Sequence, residues 1–126
     1  MERATSRPIL VVSVSWQTRA LLAAQIGELT DQDVLSTSGV NEALGLIRLG
    51  GIEPALLVVD AGQQISREGL ERLREAKRDA PLVAIVSRLR RDAFDSLRDC
   101  CAAYLLRPVS IGRIARVVAQ VLNELA

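Results

Sequence analysis

The chain has 126 residues, 49% hydrophobic and 25% charged, which fits one folded domain with a single core and excludes a disordered tail. Sixteen basic and fifteen acidic side chains leave a formal net charge of +1, so a general polyanion binder is not expected, although local basic patches are compatible with it. There is no histidine, which removes Ser-His-Asp and Cys-His catalysis, the commonest neutral-pH general base and the commonest transition-metal ligand.

Residues 1–7 are short and polar, without the apolar stretch of a signal peptide, and no apolar run approaches bilayer length. A cytoplasmic protein with no membrane partner is expected. The first apolar run, 9–14, follows Pro8 and reads as a strand buried on both faces. Residues 16–29 space Leu21, Leu22, Gln25, Ile26 and Leu29 at helical steps. A second strand is expected over 34–37. Residues 40–49 then place Val40, Ala43, Leu44 and Ile47 on one helical face that ends at Gly50-Gly51.

Pro54 precedes a third apolar run over 55–59, and residues 66–79 repeat Leu70, Leu73 and Ala76 beneath a charged outer face. Pro81 precedes the fourth run over 82–86, and a shorter helix over 91–101 has Phe94 and Leu97 as its anchors. The fifth run, 103–106, is closed by Pro108, and Ser110 is a good N-cap for a last helix carrying Ile111, Ile114, Ala115, Val118, Val121, Leu122 and Leu125. Adjacent Cys100 and Cys101 cannot form a disulfide framework or a four-ligand zinc site, and are expected to pack as small apolar side chains.

Strand and helix thus alternate five times. The expected fold is α/β: a doubly wound five-stranded parallel sheet, (βα)5 and flavodoxin-like, in a three-layer sandwich. The chain reads as a single domain over 1–126 with its core at about 8–125. In such sheets ligands gather at the carboxyl ends of the strands. There the sequence places Asp60 after the third strand, Ser87 after the fourth and Arg107-Pro108 after the fifth. Singly, each is an ordinary loop residue. In this order an acid, a hydroxyl and a cation converge on one crevice.

The chain from Pro8 to about Leu125 resembles the response-regulator receiver domain, the CheY-like module of bacterial two-component phosphorelay signalling. Pro54-Ala-Leu-Leu-Val-Val-Asp60 is similar to its third strand with the phospho-accepting aspartate, and Ser87 falls on its phosphoryl-contacting hydroxyl position. Tyr104-Leu-Leu-Arg107-Pro108-Val-Ser110 resembles its segment of switch aromatic, lysine and cis-proline. The resemblance implies a non-enzymatic signalling module whose partners are a histidine kinase or an output protein. It also implies a homodimer or partner face made by the fourth helix, fifth strand and fifth helix, with Val117 on the last helix lying toward solvent there beside Arg113 and Arg116.

The chain departs from that pattern at the first strand end. Ser13 and Val14 stand where the family keeps two acidic residues for Mg2+, and no Asp or Glu occurs between Glu2 and Glu28. Mg2+ is usually anchored by one or two carboxylates with phosphate oxygens, so weak or absent Mg2+ binding, with no other cofactor or metal, is expected. Arg107 replaces the family lysine and Arg88 follows Ser87; either guanidinium is expected to pair with Asp60 and occlude the pocket. The stretch after Asp60 lacks the family's Met-Pro pair, Gly69 lies about one position late, and an altered loop is expected with the third helix starting near Ser66.

The resulting expectation is an atypical receiver, or pseudo-receiver, acting through protein–protein interaction with impaired Mg2+-dependent phosphorylation. The alternative is a regulator that accepts phosphate on Asp60 with reduced metal dependence. Other ligand classes are disfavoured. A cobalamin domain needs its histidine, a dinucleotide site needs a glycine-rich turn where Ser13-Val-Ser-Trp-Gln17 stands, and three aromatics argue against a flavin site. No motif for direct nucleic-acid binding is present.

Overall fold

The computed structural model describes residues 7–61 and 64–125. The N-terminal residues 1–6, and Gly62 and Gln63 in the loop expected to be altered, lie outside it. Strands β1 (Ile9–Val12), β2 (Val34–Thr37), β3 (Leu56–Ala61), β4 (Leu82–Ser87) and β5 (Ala103–Arg107) alternate with helices α1 (Trp16–Leu29), α2 (Val40–Arg48), α3 (Arg67–Ala76), α4 (Arg91–Phe94) and α5 (Ile111–Leu125). All strand pairings are parallel, in the order β2-β1-β3-β4-β5. This is the doubly wound, flavodoxin-like order, with β1 and β3 meeting at the switch point.

The pattern of side chains explains the two layers. In the inner strands residues 9–12, 56–59 and 82–86 are all buried, and successive residues feed opposite faces. Ile9, Val11, Leu56, Val58, Val83 and Ile85 pack under α1 and α5. Leu10, Val12, Leu57, Val59, Ala84 and Val86 pack under α2, α3 and the α4 region. At roughly 2 kcal/mol for each large apolar side chain buried, these two clusters are the main favourable contribution to the fold.

Helix ends follow local chemistry. Ser15 caps α1 by accepting the Thr18 N–H at 3.2 Å, and Ser66 caps α3 by accepting that of Gly69 at 3.1 Å. After α2, Gly51 adopts φ +67°, while a Cβ on Gly50 would stand 2.8 Å from the Leu46 carbonyl oxygen. Only glycine fits either position without strain.

Three readings of the sequence are corrected. The buried stripe of α1 is Leu22 and Ile26; Leu21 and Leu29 are 53% and 49% exposed, because α1 rests on the sheet and α5 along one narrow seam. Val117 does not face solvent freely but is half-buried against the α1/α5 core, and Leu125 is exposed. The helix expected over 91–101 is a 3-10 turn at Arg88–Arg90, a single α turn, and a second 3-10 stretch over Asp95–Cys100. Its two buried anchors, Phe94 and Leu97, are three residues apart, the 3-10 repeat. Among the described residues no helix is long and apolar enough to cross a membrane.

Candidate functional site

Strand parity selects the side chains that meet at the carboxyl end of the sheet. Val11 and Val58 point toward α1 and α5, so Ser13 and Asp60, two residues further, emerge on that same side. In β4 and β5, Ile85 and Leu105 do likewise, followed by Ser87 and Arg107, which are register partners. Four polar residues at four adjacent strand ends therefore share one side of the sheet edge.

The side chains that meet there are Ser13, Asp60 and Arg107. The Ser13 hydroxyl, fully buried, donates to Asp60 Oδ2 at 2.8 Å. Arg107 reaches across the end of β4 and places Nη2 at 2.9 Å and Nε at 3.3 Å from Asp60 Oδ1. Both guanidinium donors converge on one oxygen and the hydroxyl takes the other, so each carboxylate oxygen is engaged. The Asp60 side chain is only 14% exposed and that of Arg107 35%. Ser13 Oγ in turn accepts the Ser15 N–H at 3.3 Å, which ties the pair to the start of α1.

Arg19 was not singled out by the sequence. From the first turn of α1 its Nη1 donates to the carbonyls of Ser13 at 2.7 Å and Val14 at 3.1 Å. It thereby fixes the β1–α1 connection over the site. No motif signals this: the residue is an arginine in a helix, and only the fold turns it back on the strand end. Val14, the other position expected to lack a metal carboxylate, is 47% exposed.

Ser87 and Arg88 stand apart from this trio. The Ser87 hydroxyl accepts the Leu89 N–H at 3.3 Å and so starts the 3-10 turn. Of the two arginines expected as partners of Asp60, Arg107 takes the role and Arg88 does not; the turn swings the Arg88 guanidinium toward β5, where Nε donates to the Arg107 carbonyl at 3.4 Å. Tyr104 is half-buried; its hydroxyl donates to Asp95 Oδ1 at 3.0 Å and the Arg98 guanidinium lies 5.5 Å from its ring centre. Burial, and then the Asp95 carboxylate, push the Tyr104 phenol up to about 12. The Arg107–Pro108 peptide is cis.

The donor set does not suit Mg2+, the metal that a site of this kind would be expected to hold. A single carboxylate is present, both its oxygens are already hydrogen-bonded, and the neighbouring position is an exposed valine. Among the described residues no three His, Cys, Asp or Glu side chains group as metal ligands. What the arrangement does chemically is neutralise Asp60 with a fixed cation.

No family model matches the chain, and no curated protein matches it. Solved structures do. The response-regulator receiver domain protein from Clostridium thermocellum superposes with a TM-score of 0.75 at 15% identity, covering 94% of this chain and 95% of that one. The REC domain of AraT, a response regulator from Geobacillus stearothermophilus, gives 0.74 at 21% identity, covering 94% and 95%. The receiver domain of the Francisella response regulator 1452 gives 0.76 at 18% identity, covering 96% and 100%. At these identities the likeness establishes the fold: the five-stranded parallel (βα)5 sandwich of receiver domains.

Proposed function

We propose that this chain is an atypical receiver module of two-component signalling, which works by binding other proteins and has lost efficient Mg2+-dependent phosphorylation of Asp60. The observation that carries the reading is the engagement of both Asp60 oxygens, one by Arg107 and one by Ser13. A carboxylate must present a free oxygen to attack a phosphodonor, and here the nucleophile is held in an ion pair. Phosphoryl transfer also depends on cations that neutralise charge on the transferring group, and the first strand end supplies none of the carboxylates that would recruit Mg2+. The module is therefore read as non-enzymatic. Its partners are read as a kinase-type or output protein meeting the face of α4, β5 and α5, with a homodimer through that face as the other arrangement.

The test is intact mass after incubation with acetyl phosphate and Mg2+. The expected result is an unchanged mass for the chain and for Asp60→Ala alike. A phosphate adduct that disappears in Asp60→Ala would favour the competing reading, in which Asp60 at the end of β3, with Ser87 and Arg107 nearby, still accepts phosphate.

A further inference from the structure

Helix α1 differs from α3 and α5 in what it shows to solvent. α3 turns Arg67, Glu68, Arg72 and Glu75 outward, and α5 turns out Arg113, Arg116 and Glu124. From Trp16 to Gln25 the exposed residues of α1 are Trp16, Gln17, Ala20, Leu21, Ala24 and Gln25. None of them is charged. Arg19, the one cation of this helix, is folded back onto the Ser13 and Val14 carbonyls. Trp16, the single tryptophan of the chain, is 67% exposed, and with Gln17, Ala20 and Leu21 it lines a shallow hollow of about 480 Å³. A helix that is apolar on its outer side as well as its inner one is ordinarily covered on both.

The two ends of α1 point to what covers it. α2 and α3 each carry an acid in the first turn and a base in the last, which suits the helix dipole. α1 carries neither, and its one acid, Glu28, stands near its C-terminal end, where the dipole is negative. Neither the Glu28 carboxylate nor the Trp16 indole N–H has a hydrogen-bond or ion-pair partner among the described residues. Trp16 and Glu28 lie about 18 Å apart along the helix axis. A second α1 laid antiparallel over the first therefore sets Glu28 of each copy at the start of the other helix. There the carboxylate meets a positive dipole end and the indole N–H. The same register brings Ala20 of one copy against Ala24 of the other, small side chains that let two helices approach closely, with Trp16 and Leu21 filling the space beside them.

We infer that α1 is a self-association face: two copies of this chain pair antiparallel through Trp16, Ala20, Leu21 and Ala24, with Glu28 of each at the N-terminal end of the other α1. The face is uncharged between its ends and opposite in sign at them, so it complements itself, as a two-fold isologous interface requires. One helix face buries less than the roughly 800 Å² per partner of stable complexes, so the pairing is weak and depends on concentration. The face shares no residue with α4, β5 or α5 and leaves that surface open. The inference does not rest on the signalling reading.

Sedimentation equilibrium of the whole chain from roughly 1 μM to 1 mM should show a monomer–dimer equilibrium. Over the same range the emission of Trp16 should shift to the blue and become less open to acrylamide quenching, as the indole is covered. Ala24→Glu sets like charges at the crossing and Glu28→Arg reverses the charge at the pairing ends; each should weaken dimerisation about tenfold or more. Arg113→Glu, on the exposed side of α5, should leave it unchanged. Glu28→Arg should also raise the melting temperature of the dilute chain slightly, since a base suits the end of α1, so lost pairing is told apart from lost folding. A chain that stays monomeric across the range overturns the inference. So does a dimer that leaves the Trp16 emission unmoved, ignores Ala24→Glu or is abolished by Arg113→Glu. A blue shift that phosphatidylglycerol vesicles produce in the dilute chain, with no dimer at high concentration, assigns the face to a lipid surface and overturns it as well. A phosphate adduct on Asp60 would overturn the functional reading above and leave this result standing.

Discussion

At the scale of single residues, Ser13 takes a direct part in holding Asp60. Its hydroxyl is fully buried and donates to one Asp60 oxygen, leaving the other to Arg107. The ion pair is partly solvated, so it contributes about 1 kcal/mol or less. The buried hydroxyl-to-carboxylate bond belongs to a stronger class, and Ser13→Ala is expected to lower unfolding free energy by about 2 kcal/mol in urea titrations. An unchanged midpoint would show that Asp60 is held by Arg107 alone. The cysteines separate in a way their adjacency hides. Cys100 is exposed, against the expectation that both pack inward, while Cys101 is half-buried and its Sγ donates to the Leu97 carbonyl at 3.3 Å. Burial, reinforced by the neighbouring Cys100, pushes the Cys101 thiol up to about 11. On the order of one in a thousand Cys101 side chains is then thiolate at pH 8. Native labelling with a disulfide reagent at that pH should consume one thiol quickly and the second only slowly or on unfolding. Two equally fast thiols would contradict the placement of Cys101.

At the scale of elements, two glycines in helices make opposite predictions. Gly27 lies in α1 with nothing within 4 Å of where a Cβ would be, so Gly27→Ala should stabilise by about 0.5–1 kcal/mol through helix propensity. Gly69 lies in α3, and its Cβ would meet Val40 Cγ2 of α2 at 2.9 Å. Valine is β-branched and stiff, so it cannot swing aside, and overpacking of about 1–3 kcal/mol should exceed the propensity gain. Thermal melts of the two variants should move in opposite directions; a Gly69→Ala variant as stable as Gly27→Ala would mean that α2 and α3 can separate. The same elements show why the sequence is legible in part. Apolar stretches over 9–12, 56–59 and 82–86 fix β1, β3 and β4, because a strand buried on both faces leaves room for polar side chains only toward its carboxyl end. The region from 91 to 101 misleads because Asp92, Asp95, Ser96 and Asp99 weaken an α-helix, while the three-residue step from Phe94 to Leu97 fits tighter turns. The choice of Arg107 over Arg88 as the partner of Asp60 is set by side-chain parity in β5 and by a turn capped through Ser87. Neither is visible in a list of charges.

At the scale of the whole molecule, the two apolar layers share one sheet, but the β5 side is held differently from the rest. Residues 9–12 of β1, 56–59 of β3 and 82–86 of β4 are buried, whereas every residue of β5 is half-buried, and its outer layer is the 3-10 segment. That segment is tied back by the Tyr104–Asp95 hydrogen bond and by Cys101 on Leu97. Both tying groups have raised pKa values in the folded chain: Cys101 goes from 9.0 to about 11 and Tyr104 from 10.0 to about 12. A raised value in a group that is neutral when protonated means that the folded state keeps its proton where the unfolded chain has lost it. Between about pH 9 and 12 the folded state therefore binds more protons, and stability must fall as pH rises through that window. Below pH 9 neither group contributes a pH dependence. Thermal melts should thus be level with respect to these two groups up to about pH 9 and then decline, with Cys101→Ala and Tyr104→Phe each flattening the decline by removing one titration. A variant pair that leaves the alkaline slope unchanged would place the weak point elsewhere than the β5 side.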